Sequence, residues 1–274
     1  MQVYKTGYFS SFRVHFGILA VVFLLLSAIS INAAQRQAAS MPADELNEIY
    51  GLYATAKYDN VKRATILLEN GVRQYPDDAK VLSLLAQVYC HLTFRDWHFG
   101  QKDTAYIEEA EALVVKAMRL APNDAVSLRA HGMVLLTMGR REEAARDLKK
   151  ATEVSPGDAE SWYLWACASD GSLINGDTDA GTRMDKALQL APNLAWARQD
   201  MTMSYLKAGN MGLARQSLSA MAQSQQDYPS FSFYEGMVLL HEGKTEEARA
   251  KFQNFVDKAE SSNLTEYVKL YLNR

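Results

Sequence analysis

A small side chain recurs along this chain at almost fixed intervals: Ala110, Ala144, Ala180, Ala214 and Ala248 are separated by 34, 36, 34 and 34 residues. Four positions beyond each stands a larger apolar residue: Val114, Leu148, Met184, Leu218 or Phe252. Upstream in each unit a third small or near-small position falls at Ala86, Gly132, Ala166, Thr202 and Gly236. The segments AMRLAP (117–122), ATEVSP (151–156) and ALQLAP (187–192) close three helices on the same small-residue-to-proline spacing. A period of this length means that each unit is one supersecondary element, too thin to bury its own apolar face and forced to stack on its neighbours. Small residues let two antiparallel helices approach closely, and the large residue one turn on plugs the gap against the next pair.

These positions resemble the tetratricopeptide repeat, W-x2-L-G-x2-Y followed by A-x3-F and P with a period of about 34. The closest unit is SLRAHGMVLLTMGRREEAARDLKKATEVSP (127–156), and WYLWACAS (162–169) puts a Trp in the aromatic position. The resemblance covers residues 44–262 as six units starting near 44, 79, 125, 159, 195 and 229, the first being the poorest match, since Gly51, Ala64, Leu68 and Pro76 fit only if one residue is dropped. It implies an all-α fold, a right-handed superhelical solenoid of antiparallel helix pairs, about six units long. A C-terminal capping helix follows in 263–274. There Leu264, Tyr267, Val268 and Tyr271 share one face, Glu266, Lys269, Asn273 and Arg274 lie off it, and Asn263 with Glu266 makes a capping box.

Two units are interrupted. About twelve extra residues fall between Leu92 and Ala110, and two around SDGSLINGD in the fourth unit. Insertions in solenoids emerge as loops or lengthened helices on one rim. Phe94, Trp97 and Phe99 in the longer insertion either fold back on neighbouring helices or form an aromatic contact loop.

The first 34 residues are unlike the rest. Lys5, Arg13 and His15 precede an apolar stretch from Phe16 to Ile31 that runs into Asn32, Ala33 and Ala34, the layout of a secretory signal. The stretch is intermediate between a signal core and the roughly 20 residues of a spanning helix, so it reads as a cleaved signal peptide or an N-terminal membrane anchor. Both place the repeat domain (44–274) on the non-cytoplasmic side, in the periplasm if the host is Gram-negative, behind a short polar linker, 35–43. The membrane is engaged only through that N-terminal segment, and no Cys follows the apolar run to carry a lipid.

Chemistry is hard to find. No phosphate-binding loop, dinucleotide fingerprint, nucleophile elbow, HExxH or CxxC string occurs, so the expectation is a non-enzyme without catalytic residues, cofactor or metal. Cys90, His91 and His98 make a poor zinc site with no fourth partner. Cys90 and Cys167 sit two units apart, several helix spacings of about 8 to 10 Å, beyond the ~7 Å reach of a disulfide. A net charge of -3, spread over segments of mixed sign, offers nucleic acid no basic patch.

The resemblance also implies where a protein or peptide partner would lie. In repeats of this family the first helix of each unit lines a concave groove, chiefly through the residue after the small position and the one three further on. Here those are Met133 and Leu136, Cys167 and Asp170, Met203 and Leu206, Met237 and Leu240. One turn earlier come Arg129, Tyr163, Gln199 and Phe233, with Trp196 close by. The Lys, Asn and Arg set with which some family members clamp a C-terminal carboxylate is missing. The candidate partner-binding residues are therefore Met133, Leu136, Tyr163, Trp196, Met203, Leu206, Phe233, Met237 and Leu240. Methionine adapts to apolar side chains of varied shape. An apolar stripe at helical spacing is also what a core looks like, and that reading stays open here. The expected function is an interaction scaffold, and the alternative is a structural component of an envelope assembly that packs against itself or others.

Overall fold

The computed structural model describes residues 40–55, 58–97, 104–170, 172–174, 178–225, 229–258 and 263–273. Among them are thirteen helices and no strand: α1 Ala43–Ala54, α2 Tyr58–Gln74, α3 Ala79–Trp97, α4 Thr104–Leu120, α5 Ala125–Thr137, α6 Arg141–Val154, α7 Ala159–Ala168, α8 Asp179–Leu190, α9 Ala195–Lys207, α10 Met211–Gln225, α11 Pro229–His241, α12 Thr245–Lys258 and α13 Asn263–Leu272. None of these helices is long and apolar enough to cross a membrane. The expected signal or anchor, and all of the linker up to residue 39, lie outside the described residues.

Successive helices pair (α1 with α2, through α11 with α12), and the second helix of each pair also packs on the first helix of the next. First helices lie beside one another in turn, α3 on α5, α5 on α7, α9 on α11, and together form the inner face. The close-contact register is the one the spacing implies. Ala110, Ala144, Ala180, Ala214 and Ala248 have no exposed surface. A methyl added at Gly132 would sit 2.5 Å from Leu148 Cγ, and one at Gly236 would sit 2.6 Å from Phe252 Cε1. Each large residue thus fills the hollow its small partner leaves.

Two turns repeat with the helices. From second helix to first, Tyr75, Ala121, Ser155 and Ala191 accept at the carbonyl from the amides of Asp78, Asp124, Asp158 and Leu194, each bond spanning a Pro. Proline pre-sets the φ that the second residue of such a turn needs. From first helix to second, the amides of Arg140, Asn210 and Lys244 reach back to the carbonyls of Leu135, Tyr205 and Leu239 across Gly139, Gly209 and Gly243 at φ 71 to 80°. That is the Schellman closure, which wants a glycine because a Cβ is strained in the left-handed region.

The departures from regularity are physical. The second-unit insertion lengthens two facing helices, α3 to 19 residues and α4 to 17, against 13 and 14 for α5 and α6. The side chains of Phe94 and Trp97, and all of His98 and Phe99, lie outside the described residues. In the fourth unit α7 stops at Ala168, and Ser169 is gripped by Arg141 at its carbonyl and by Arg183 at its hydroxyl. Arg183 also lies 3.9 Å above the Trp165 ring. The contact between α8 and α9 is the thinnest between consecutive pairs. There the aspartate that starts α3, α5 and α7 is replaced by Leu194, and the first continuous core ends at Met201.

The terminal helix corrects the sequence reading by a rotation. Thr265 and Val268 face inward, with Tyr271 against Phe252 at 5.4 Å between ring centroids, whereas Tyr267 is 69% exposed and Leu270 63%. Arg249 on α12 donates to the Leu272 carbonyl and fixes the helix end. Glu266 accepts from Lys269 Nζ at 2.7 Å.

Candidate partner-binding face

The inner face has two unlike halves. Its N-terminal half is closed by the protein's own side chains. Arg129, the one charged residue in the apolar helix α5, is buried. Its Nη1 donates to both carboxylate oxygens of Asp158 at 2.8 and 2.7 Å, its Nε to Gln87 Oε1 at 3.2 Å, and its Nη2 lies 3.4 Å from Glu160 Oε2. A buried cation demands such partners, because an uncompensated charge away from water is costly. Asp158, which starts α7, gives its carboxylate to Arg129 and Ser161 instead of capping the helix backbone.

Onto this floor come two tyrosines from α1. Tyr50 donates to Glu160 Oε2 at 3.2 Å, with its ring 5.9 Å from the Arg129 guanidinium. The Tyr53 hydroxyl is 2.5 Å from His91 Nδ1 and 3.3 Å from Glu160 Oε1. His91 in turn stacks on Trp196 of α9, centroids 3.9 Å apart. Side chains from α1, α3, α5, α7 and α9 therefore meet at one point. Burial drives the His91 imidazole down to about 3. Burial also raises the Glu160 carboxyl, which Arg129 opposes. Burial and then Glu160 hold Tyr53 well above the ordinary phenol range. Arg129 stays above its usual value because Glu160 and Asp158 outweigh its desolvation.

The nine candidate residues divide between core and surface. Met133, Tyr163 and Leu206 are buried. Tyr163 donates to Asp200 Oδ2 at 2.9 Å, and burial followed by Asp200 raises its hydroxyl. Leu136 and Trp196 are half-buried against the first core. Met203, Phe233, Met237 and Leu240 are half-buried in the C-terminal half, where the core breaks into two smaller clusters. Phe233 wedges between Phe252 and Phe255, at 6.0 and 5.6 Å between centroids. In the C-terminal half the half-buried candidates form a short row, Met203, Met237 and Leu240, edged by Phe233. Met203 and Met237 are equivalent positions on α9 and α11, two helices in contact.

Both cysteines are free thiols. Burial raises the Cys90 thiol to about 12 and raises that of Cys167 as well. Among the described residues no three His, Cys, Asp or Glu side chains are grouped to hold a metal ion.

The comparisons bear on the fold. Residues 201–263 match the family model of the tetratricopeptide repeat. The crystal structure of the APC/C hetero-tetramer Cut9–Hcn1 superposes with a TM-score of 0.64 at 18% identity, over 83% of this chain. The fold is a tetratricopeptide-repeat solenoid. The present chain spans 41% of that Cut9–Hcn1 chain's length. The human IFIT1 dimer with PPP-AAAA is similar at a TM-score of 0.54 and 15% identity, over 96% of this chain and 71% of the other. PilW, a widely conserved type IV pilus biogenesis factor, is similar at 0.52 and 13%, over 83% and 100%. No curated protein matches the sequence.

The closure of the N-terminal half is what reading the sequence missed. One signal was present: a lone arginine inside an otherwise apolar tetratricopeptide helix must find carboxylates, and Asp158 and Glu160 open the next first helix.

Proposed function

We propose that this protein is an interaction scaffold that holds a peptide or a helix of a partner protein across α9 and α11, on the half-exposed row of Met203, Phe233, Met237 and Leu240. Tetratricopeptide repeats are in general protein-interaction scaffolds, and the row is a part of their usual partner face that this chain leaves half-exposed. That half-exposure is the observation which carries the reading.

The magnitude is modest. A fully buried Met, Leu or Phe contributes roughly 1.5 to 3 kcal/mol, and with about half of each already covered the four add about 3 to 6 kcal/mol. Association costs of about 4 kcal/mol or more absorb most of this, so the partner adds polar or main-chain contacts and the complex is reversible. Affinity depends weakly on salt, since the row itself is apolar. Changing Met203 and Met237 to Glu abolishes partner capture with helix content and melting retained. A folded double variant that still captures the partner contradicts the site, and an unfolded one shows that both side chains are core.

The same proposal places the scaffold outside the cytoplasm, held by or released from an N-terminal membrane segment. Its support is the basic start and the apolar run Phe16 to Ile31. A reporter that is active only after export, fused at residue 60, is expected to be active. An inactive fusion contradicts the placement. Self-association is the second reading, favoured by Tyr267 and Leu270, which stand exposed on the terminal helix where a stack would continue. Concentration-dependent oligomers that Tyr267→Glu disperses would establish it.

A further inference from the structure

The first helix departs from the close-contact register of the others. In a register like that of Gly132 and Gly236, the small residue of α1 would sit against its partner helix. Instead Gly51, at the expected close-contact position, has nothing within 4 Å of an added methyl. Tyr50 and Tyr53 reach Glu160 on α7, three pairs further along. The helix packs on α2 and thinly on α3, and its two tyrosines reach across the inner face to α7.

The surface beneath it is built without it. Arg129 draws its partners from Gln87 on α3 and from Asp158 and Glu160 at the start of α7. Removing α1 would cost this floor two phenol groups, together with the core packing of Ile49 and Tyr53 and the Met41 amide bond to Asp78 at 2.9 Å. Nor does α1 satisfy the surface fully. Trp196 Nε1, on the indole that stacks on His91, is a buried donor with no acceptor among the described residues, and such a group in a native structure calls for an explanation. One side of α1 is also unpacked: a cleft of about 780 Å³ runs between its first turns and the starts of α3 and α5, down to Arg129. The carboxylates at the mouth of that cleft are already engaged. Asp78 and Asp124 cap helices, and Asp77 holds Lys116 at 2.8 Å.

We propose that the surface formed by Gln87, His91, Arg129, Glu160 and Trp196 is a receptor for an amphipathic partner helix carrying two tyrosines three residues apart, and that α1 is its resident, displaceable mimic. The partner's phenols take the positions of Tyr50 and Tyr53 on Glu160 and His91, and a carbonyl or amide oxygen beside them accepts from Trp196 Nε1. The site is separate from the row on α9 and α11, and changes at Met203 and Met237 do not test it.

The probe is a labelled, end-capped peptide of residues 43–54, ADELNEIYGLYA, titrated into the full chain and into the full chain carrying Tyr50→Ala and Tyr53→Ala. In the unaltered chain α1 competes at a high effective concentration. The expected result is binding at least about tenfold tighter to the variant than to the unaltered chain, weakened about tenfold again when both peptide tyrosines are Phe. A variant that keeps the helix content and melting of α3 to α13 and binds no peptide overturns the proposal. So does binding that is indifferent to the two hydroxyls. Should the variant fail to fold, hydrogen exchange on the unaltered full chain decides. α1 amides exchanging about 100-fold faster than those of α3 and α5 support a displaceable helix, and protection equal to theirs shows a fixed structural cap.

Discussion

Gly132 sits where a side chain would collide with its own partner helix, and adding a methyl there should change sign with the residue opposite. In Gly132→Ala the new Cβ meets Leu148 at 2.5 Å from Cγ and 2.8 Å from Cδ2. Leu148 is fully buried. Overpacking of this kind costs about 1 to 3 kcal/mol. Against that, replacing Gly by Ala inside a helix gains about 1 kcal/mol. The net is a destabilisation of about 0 to 2 kcal/mol. Leu148→Ala alone costs about 2 to 5 kcal/mol, the usual price of a cavity. In that background the clash is gone, and Gly132→Ala should stabilise by up to about 1 kcal/mol, giving a coupling of about 1 to 3 kcal/mol. Urea unfolding of the four proteins of the cycle, followed by far-ultraviolet circular dichroism, measures it. Gly236 and Phe252 stand 104 residues further on than Gly132 and Leu148, in the same relation, and the parallel cycle should give the same sign. Additivity within about 0.5 kcal/mol at both sites would refute the close-contact register.

Three further outcomes follow from the buried contacts. Ala144→Leu, at a position with no exposed surface, should destabilise by about 1 to 3 kcal/mol and lower the melting midpoint, and an unchanged midpoint would mean that Ala144 faces no helix. Arg129→Met should cost about 3 to 5 kcal/mol by leaving Glu160 and Asp158 buried without their cation, with part recovered on adding Glu160→Gln; no recovery would show that the charge pairing is not what Arg129 supplies. His91 titrates near 6.5 unfolded and about 3 folded, so the unfolded chain binds the extra proton between those values, and the stabilisation present above pH 6.5 is lost as pH falls, by about 2 kcal/mol at pH 5. Glu160, raised by burial, acts in the opposite sense, its contribution falling as pH climbs. His91→Phe removes the first effect alone, and acid unfolding that runs parallel in the two proteins would contradict it.

Most of the scaffold was legible in the sequence because each repeat restates the same local physics. The alanines at the close contacts, the prolines at Pro76, Pro122, Pro156 and Pro192, and the glycines at Gly139, Gly209 and Gly243 are fixed by helix approach and turn dihedrals, which a period exposes. Tertiary departures have no period. The contact of α1 with α7 depends on Tyr50 and Tyr53 meeting Glu160, 110 and 107 residues away, a distance set by the winding of the stack and not by any local pattern. In the terminal helix Leu264, Tyr267, Val268 and Tyr271 form a plausible stripe, while the inward face uses Thr265, a small polar residue that an apolar pattern does not mark. The candidate site was legible as a stripe and not as a surface. Repeat spacing assigns Met133 and Met203 the same role, but Met133 is buried in the first core and Met203 stays half-buried beside a smaller one.

Site-specific photo-crosslinking tests the central claim most directly, with a photoreactive residue placed in living cells at Met203, Met237 or Leu240 and, for comparison, at the exposed apolar positions Leu120, Val154 and Leu190, which recur at the ends of second helices. The account predicts one discrete adduct from the inner-face probes and none from the others. The same adduct from Leu120, Val154 and Leu190, with nothing captured at Met203 and Met237, would contradict it.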